Sequence, residues 1–500
     1  MITSPTSTGD SSVESRRFLP VLGWPRTWGA CRNAKRTGRE LRPKRSDERG
    51  VALLMVLGAL SIATVMLTEF QDTVSAELGS SVSARDQVKA EYAARSALNL
   101  TRLVLAAEPS ISSVLSPLTG GAQIPVWEYT DVLLGPFNDV LGGEVFQGMS
   151  GMNLTEGRNL GMEGAGFTLV VVDEDSKINL NLAARADSFS VKREEEQIVS
   201  LIGGIQYNEF FEESEDENGA LLDRRTVCSA IVDWVDPNVD KSACDPTNAT
   251  AATVTPPEDS YYQLLDRPYS RKNAAFDSLE EMRLVQGVTD EFWRRFIHPD
   301  PDDQKSRIAT VWGSGKVNVN SANPMTLLAL VCQQVDPETP LCVDPIMQQK
   351  YIMTSQMFAG AMAGLPIFSS PDQFVQAIKG QGMFGQMLQS VGIEPVKPRS
   401  DDQLKKAVTV ESKVFSVFAT GTVQSGKLET RSTIHAVVDM RGAPPPGSAE
   451  TLTKLEQLRS QEVEREQIQG LDLPPEMEEG GLASFLIPKP GGTILYYRVD

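Results

Sequence analysis

The stretch Arg49-Gly50-Val51-Ala52-Leu53-Leu54-Met55 opens the run VALLMVLGALSIATVML (51–67), and its reading governs the rest of the chain. The run has no charge and no proline. At about 1.5 Å per residue it spans roughly 25 Å, and Thr68 to Phe70 bring it to the length of a short membrane helix. Helical spacing continues without proline to Pro109, which predicts one helix over 51–107, membrane-embedded first and amphipathic afterwards. Basic residues ahead of the span place that side in the cytoplasm and the bulk of the chain beyond the membrane. Two plainer readings compete. A cleaved signal peptide needs a small-residue site after its apolar core, and LTEFQDTVSAEL (67–78) offers a weak one that the helical pattern crosses. The other is an ordinary single-pass anchor.

Ahead of the run, residues 1–50 hold eleven Lys and Arg against five Asp and Glu, with Ser, Thr, Pro and Gly and no apolar period. That composition describes a disordered basic leader. The chain's 47 basic and 66 acidic residues then leave 36 and 61 beyond residue 50, so the formal charge moves from −19 to about −25 once the leader is set aside. Such an acidic balance disfavours nucleic acid, whose phosphates need a basic face. The whole chain, 500 residues with 41% hydrophobic and 23% charged, is of ordinary globular composition and has room for two to four domains. Its two histidines, His298 and His435, leave little for histidine catalysis or a multi-histidine metal centre.

Beyond the long helix, 108–165 is rich in Gly and Pro, with a short strand expected around Glu144 to Phe146. GFTLVVVDEDSKINLNLA (166–183) reads as a strand entering a polar turn, 188–203 as a helix, and 207–221 as an acidic loop. DRRTVCSAIVDWVD (223–236) has Val227, Ile231 and Trp234 at helical spacing; an irregular Asp-, Asn- and Pro-rich loop runs from Pro237 to Asp266. FDSLEEMRLVQGVTDEFWRRF (276–296) reads as two short helices around Gly287, and KVNVNSANPMTLLALV (316–331) repeats the theme of a short extended piece before a capped helix. A further capped helix starts near Pro371. KVFSVFATGTV and KLETRSTIHAVVDM form strands around Gln424-Ser425-Gly426, and TILYYRV (493–499) is a last strand. A strand near 166 thus waits for partners at 413–440 and 493–499, across a helical region of about 220 residues, which predicts a small α/β unit with an inserted helical domain.

Gly50, behind a basic leader and abutting an uninterrupted apolar helix, resembles the prepilin peptidase site of type IV pilins and pseudopilins. In that family cleavage falls after the glycine, so Gly50 and Val51 would be the cleavage pair and Val51 the methylated first mature residue. The leader is longer than the family's usual handful of residues. The fifth mature position is usually Glu and is Met55 here; the pseudopilin type that characteristically lacks this Glu is general secretion pathway protein K of type II secretion. The resemblance to that family covers nearly all of the mature chain. It rests on Val172-Asp173-Glu174 with Lys177-Ile178-Asn179-Leu180-Asn181, and on Ile231-Val232-Asp233-Trp234-Val235-Asp236-Pro237. It rests also on Glu258-Asp259 with Tyr261-Tyr262, Arg267-Pro268-Tyr269, Lys272-Asn273, Ser278-Leu279-Glu280-Glu281-Met282, Val317-Asn318-Val319-Asn320-Ser321-Ala322, and Ile494-Leu495-Tyr496-Tyr497-Arg498.

The resemblance implies an α+β pseudopilin fold, a long N-terminal helix and a small antiparallel sheet carrying a large inserted α-helical domain. The expected division is a cleaved leader at 1–50, the helix at 51–107, the first part of the α/β domain at 108–187, and the inserted domain with helix-hairpin-helix-like units at 188–405. Strands return at 406–440 and 491–500, around a flexible acidic insertion at 441–490. The implied protein is a non-enzymatic, single-pass inner-membrane subunit with a cytoplasmic N-terminus and a periplasmic bulk, extractable into the pseudopilus. Its implied partners are the minor pseudopilins of the I and J types, the H type, the prepilin peptidase and the inner-membrane assembly platform, with no nucleic acid. It would cap the pseudopilus tip and start its assembly. A minor pilin of a type IV pilus shares the first helix and is the nearest alternative; a membrane-anchored DNA-uptake protein is the other.

Four local features bear on chemistry. Asp236-Pro237-Asn238-Val239-Asp240 opens like an EF-hand loop, but Lys241 stands at the sixth position and Thr247 at the twelfth. A solvated acidic loop is the plain reading; because protein K relatives bind calcium in the inserted domain, the resemblance favours structural calcium at Asp236, Asp240, Glu258 and Asp259. Of five cysteines, Cys31 leaves with the leader; the nearest pairing of the rest is Cys228–Cys244 and Cys332–Cys342, with free thiols or zinc as weaker readings. Gly421 to Lys427 matches the first seven positions of a P-loop, but Leu428 replaces the magnesium-binding hydroxyl, so a hairpin turn is expected. The helix pair at 278–296 carries Asp290 and Glu291 just past its hairpin, which suits packing better than DNA.

Overall fold

The computed structural model describes residues 48–119, 123–138, 161–162, 164–213, 215–216, 219, 222–244, 260–265, 267–336, 338–362, 364–443 and 491–500. The expected strand at Glu144 to Phe146 lies outside these residues, as does the expected flexible insertion from 444 to 490. The chain divides into two compact units, 1–76 and 77–500. Helix α1, Glu48–Thr119, passes through both. In the first unit every residue from Gly50 to Ala76 is exposed, and the helix is long and apolar enough to cross a membrane.

In the second unit α1 runs past the expected end at Ala107 and through Pro109. A proline deletes one amide from the ladder. The turn is held by Ser112 Oγ donating to Glu108 Oε1 (2.6 Å) and Ile124 N donating to Ser112 Oγ (3.2 Å). Four antiparallel strands, β1 (Ala165–Asp173), β6 (Val414–Ser425), β7 (Leu428–Asp439) and β8 (Thr493–Val499), lie in the order β1-β6-β7-β8. Their apolar face, with Phe167, Leu169, Val171, Val417 and Ile434, packs with Ala94, Ala97, Leu98 and Leu105 of α1. Small residues set the distance. Ala90, Ala93, Ala94 and Ala97 are wholly buried, and a Cβ on Gly421 would lie 1.9 Å from Ala90 O, so only glycine lets the two backbones meet there. Gly421 to Lys427 is the end of β6 and its turn into β7.

Between β1 and β6 sit two lobes built on one frame. The first opens with β2 (Ile178–Asn179), paired in parallel with β3 (Ala309–Thr310). The second opens with β4 (Val317–Asn318), paired in parallel with β5 (Val408–Thr409). The phrases Lys177-Ile178-Asn179-Leu180-Asn181 and Lys316-Val317-Asn318-Val319-Asn320 occupy equivalent places. Asn179 Oδ1 accepts from Asn181 N (2.8 Å) as Asn318 Oδ1 accepts from Asn320 N (3.0 Å). Asn181 clamps the backbone of Phe276, with Nδ2 to O at 3.0 Å and N to Oδ1 at 2.7 Å. Asn320 clamps Phe368 the same way, at 2.9 and 2.8 Å. Two residues on come Ser278 and Ser370, then a helical turn, then a glycine with positive φ, Gly287 (81°) or Gly380 (85°).

The first lobe holds α2 (Ser188–Ile202) and α3 (Arg224–Val235), N-capped by Asp187 and Asp223. The second holds α4 (Pro324–Gln333), α5 (Pro345–Ala361), α6 (Pro371–Ile378) and α7 (Gly382–Ser390), of which the first three are capped by Asn323, Asp344 and Ser370. Each lobe has its own apolar core. Two expectations need correction. The acidic loop at 207–221 contains a helical turn, Asn208–Glu213, because Phe210 and Phe211 bury against Phe296 with ring centroids 5.7 and 6.0 Å away. The pair of short helices around Gly287 is a 3₁₀ turn (Leu279–Leu284), one α-turn (Asp290–Phe292) and a π-turn (Trp293–Ile297).

The stretch Asp173–Lys177 joins sheet and lobes. Asp173 Oδ2 accepts from Ser412 Oγ (2.5 Å) and from Ser321 Oγ; Asp175 Oδ2 accepts from Lys413 N (2.8 Å) and Val414 N (3.1 Å). Asn318 N donates to Asp175 O (2.7 Å), and Lys177 Nζ pairs with Glu174 Oε1 at 3.0 Å, both buried. Burial, then the neighbouring Asp175, pushes the Asp173 carboxyl up to about 7.

Candidate functional sites: the anchor and the acidic lobe

Gly50 and Val51 lie in the first turn of α1, and both are exposed. Among the described residues a Cβ on Gly50 would meet nothing, so none of them needs the glycine for packing. Met55, where a carboxylate would stand in most pilins, is 69% exposed.

In the first lobe α3 buries Val227, Ile231 and Trp234. Trp234 Nε1 donates to Glu281 Oε1 (3.1 Å), and its ring stacks on Phe276. The helix stops at Asp236, which precedes Pro237 and is extended as that position requires. The loop then folds back on itself. Asn238 Nδ2 donates to Asp236 Oδ2 (2.7 Å), Asp240 N to Asn238 Oδ1 (2.6 Å), and Ser242 N to Asp233 Oδ1 (2.7 Å). Arg271 crosses beneath, with Nη1 on Asp233 O (3.0 Å). A disulfide, Cys228–Cys244, with Cα atoms 6.0 Å apart, fastens the loop to α3. A second, Cys332–Cys342, lies in the other lobe with Cα atoms 5.6 Å apart.

Three carboxyls are buried around that loop: Glu194 of α2, Asp233 and Asp236. Burial is the main cause of a raised pKa in each. Asp233 rises to about 7, with Asp236 adding and Arg271 opposing; Asp236 rises to about 6 against Arg271. Glu194 is raised although Ala183 N donates to its Oε2 (2.6 Å), and Asp236 adds to its rise. Among the described residues, Glu194 Oε1 and Asp236 Oδ1 have no hydrogen-bond partner.

Of the four residues suggested for calcium, Asp236 is buried and offers an unpartnered oxygen, whereas Asp240 is exposed. Glu258 and Asp259 lie outside the described residues. Among the described residues no group of three His, Cys, Asp or Glu is arranged to hold a metal ion. Asp236 Oδ1 therefore fits as one donor of a shell that the described residues do not complete. Sequence reasoning missed Glu194, because the run Lys192-Arg193-Glu194-Glu195-Glu196 reads as a solvated face; its place one turn before Ile198 on the apolar stripe of α2 was the available signal.

The hairpin at 278–297 is used for packing. Leu279, Met282, Val285, Phe292 and Trp293 are buried, and a Cβ on Gly287 would lie 2.7 Å from Val227 Cγ2 of α3. Arg283, which a nucleic-acid face would leave free, pairs with Asp290 at 2.5 Å.

A long N-terminal helix, laid in its second half on a small antiparallel sheet and interrupted by a helical insertion, defines the pseudopilin class of fold. Residues 176–298, the first lobe, match the family described as Type II secretion system (T2SS), protein K. Over that lobe the chain is similar to protein K of type II secretion. Among solved structures it is similar to a chain of "The Crystal Structure of the GspK-GspI-GspJ complex from enterotoxigenic Escherichia coli Type 2 Secretion System", at 17% identity and a TM-score of 0.35, covering 56% of this chain and 76% of that one. No curated protein matches the chain.

Proposed function

We propose that this protein K-type subunit caps the tip of the type II secretion pseudopilus and helps initiate its assembly. On this reading it does no catalysis, crosses the inner membrane once with its N-terminus in the cytoplasm, and is cut after Gly50, with Val51 then N-methylated. The observation that carries the reading is the protein K match lying in a domain inserted between two strands of the pilin-like sheet. Met55 supports it, since it offers no carboxylate to the amine of a neighbouring subunit, and two bulky lobes would hinder stacking of another subunit above. The partners are minor pseudopilins of the I and J types, as in the similar GspK-GspI-GspJ complex; the H type, the prepilin peptidase and the inner-membrane platform complete the set. Replacing Gly50 with Leu should leave the leader attached and the protein larger on a gel; identical migration of variant and wild type would contradict processing at Gly50.

The first lobe is also proposed to hold structural calcium, with Asp236 and Asp240 as donors and Glu258 and Asp259 as the remaining ligands. The support is the family resemblance together with the unpartnered, buried Asp236 Oδ1. Hard oxygen donors of this kind suit calcium, which would fix a loop that has few apolar groups of its own. Calcium should raise the melting temperature of the full chain at pH 8 and chelator lower it, and Asp236→Asn should remove the difference. No calcium effect on wild type would overturn this part.

A further inference from the structure

The two lobes meet where α2 of the first packs on α4 of the second. Beside that contact is a cleft of about 180 Å³, lined by α2, the end of α4 and the helix Asp401–Ala407, and every residue that lines it is described. In a chain of net charge −19 this cleft carries Lys192, Arg193, Arg399 and Lys406 against one acid, Glu196. Fixed bonds account for part of that charge. Arg399 holds the end of α4, with Nε on Val335 O (2.9 Å) and Nη2 on Gln333 O (2.8 Å). Arg193 Nη2 donates to Gly315 O (2.6 Å) and Ala407 O (3.2 Å). Two buried atoms are left over: among the described residues Arg193 Nε and Gln333 Oε1 have no hydrogen-bond partner. Gln333 is only 3% exposed. Its Nε2 donates to Arg193 O (3.4 Å) and Glu196 Oε2 (3.3 Å), which fixes the amide so that its oxygen is the free atom. Burial, then the like charge of Arg185, pushes the Arg193 guanidinium down to about 10, with no carboxylate opposing. A desolvated cation without a counter-charge and an orphaned amide oxygen both cost free energy until a partner supplies what they lack.

The cleft therefore asks for an anion at Arg193 and an N–H donor at Gln333. Sulfate has no donor, and Glu196 opposes a second negative charge. The volume is below the roughly 300 Å³ at which small-molecule sites begin, and suits a single residue. The last residue of a peptide chain carries a single carboxylate and an amide N–H on one Cα. We propose that the cleft captures the C-terminal residue of a peptide chain, its carboxylate on Arg193 with Lys192 and Lys406 alongside, and its amide N–H on Gln333 Oε1. The proposal goes beyond the tip reading and does not depend on it.

The test titrates the full chain in detergent at pH 7 with N-acetyl-alanine, followed by calorimetry. Binding is expected with a Kd of about 1 mM, as a ligand of this size allows. N-acetyl-alanine amide, which lacks the carboxylate, and propionate, which lacks the N–H, should each bind at least tenfold more weakly. N-acetyl-aspartic diamide with a free side-chain carboxyl stripped from it, that is N-acetyl-asparagine amide, should not bind, and N-acetyl-aspartic α-amide, whose only carboxylate is on the side chain, should be at least tenfold weaker. Arg193→Gln should lose at least tenfold. The double variant Lys192→Gln, Lys406→Gln changes two exposed side chains, so it should keep its melting temperature within a few degrees and lose at least threefold. If Arg193→Gln does not fold, the lysine variant decides. No binding of N-acetyl-alanine at about 10 mM would overturn the proposal. So would phosphate or the α-amide binding as well as N-acetyl-alanine, which would make the cleft a general anion or acidic side-chain site, or a folded lysine variant that binds as wild type.

Discussion

The two lobes of the insertion share a frame and differ in what fills it. Both begin with a Lys-x-Asn-x-Asn phrase, clamp a phenylalanine backbone with the second asparagine, turn at a left-handed glycine and close with a parallel strand. Each contains one disulfide. Only the first buries carboxylates: Glu194, Asp233 and Asp236, whereas no Asp or Glu is buried among the described residues of 317–409. The frame therefore explains how the insertion stands on the sheet, and the filling shows where charge-dependent behaviour resides. The first lobe is also the part that matches protein K.

The largest predicted difference between the lobes is their response to pH. Asp233 and Asp236 hold their protons more tightly folded than at the ordinary carboxylate value of 3.8. Their stabilising contribution is full below about pH 4 and is lost as pH rises through 6 to 7. In chelator, the first lobe should lose on the order of 3 kcal/mol between pH 5 and pH 8. Tryptophan fluorescence can follow it, since Trp234 and Trp293 are in the first lobe and residues 317–409 contain no Trp. Asp173, at about 7, adds a slope of the same sign from the junction, so the comparison is between wild type and Asp233→Asn. An equal slope in that variant would break the assignment to the first lobe.

Next in size are the disulfides. Their separations of 16 and 10 residues make each worth about 3 kcal/mol through the unfolded chain, the shorter loop slightly less. Replacing Cys228 and Cys244 with Ser should also speed amide exchange at Ser242, whereas replacing Cys332 and Cys342 should leave that amide alone. Equal effects of both pairs on the first-lobe loop would mean the lobes are not independent.

The asparagine clamps should behave alike. Asn181→Ala and Asn320→Ala each remove a two-sided backbone bond and should each cost about 2 kcal/mol in denaturant unfolding. A cost in one lobe alone would show that the shared frame is a likeness of sequence without a likeness of energetics. Smallest are the turn glycines: Gly287→Ala and Gly380→Ala should each cost about 1–2 kcal/mol, from positive φ and from contact with Val227 or Pro395.

Much of this was legible in the sequence where one pattern dominated. The apolar run at 51–67, the Val227, Ile231 and Trp234 stripe, and the alternating strands at 414–439 and 493–499 each carry a single clear period. Reading failed where tertiary contacts decide. Pro109 looked like a helix end, yet the helix continues to Thr119. Phe210 and Phe211 lie in an acidic stretch that reads as loop until Phe296 is packed beside them. Of the acidic loop, Asp236 was legible and its buried place was not; Glu194 was hidden in a charged run, and an exposed Asp240 looks the same on paper as a buried Asp233. The cover on the β1 edge comes from Asn138, some thirty residues from Phe167, and no local period reports that.

The reading as a processed minor pseudopilin is tested most directly by intact-mass and peptide mass spectrometry of the protein isolated from membranes. The predicted result is a chain that begins at Val51, carries one added methyl group, and has lost Cys31 with its leader while Cys228–Cys244 and Cys332–Cys342 remain linked. A mature protein retaining residues on the N-terminal side of Gly50, or one cut beyond the apolar run, would contradict it.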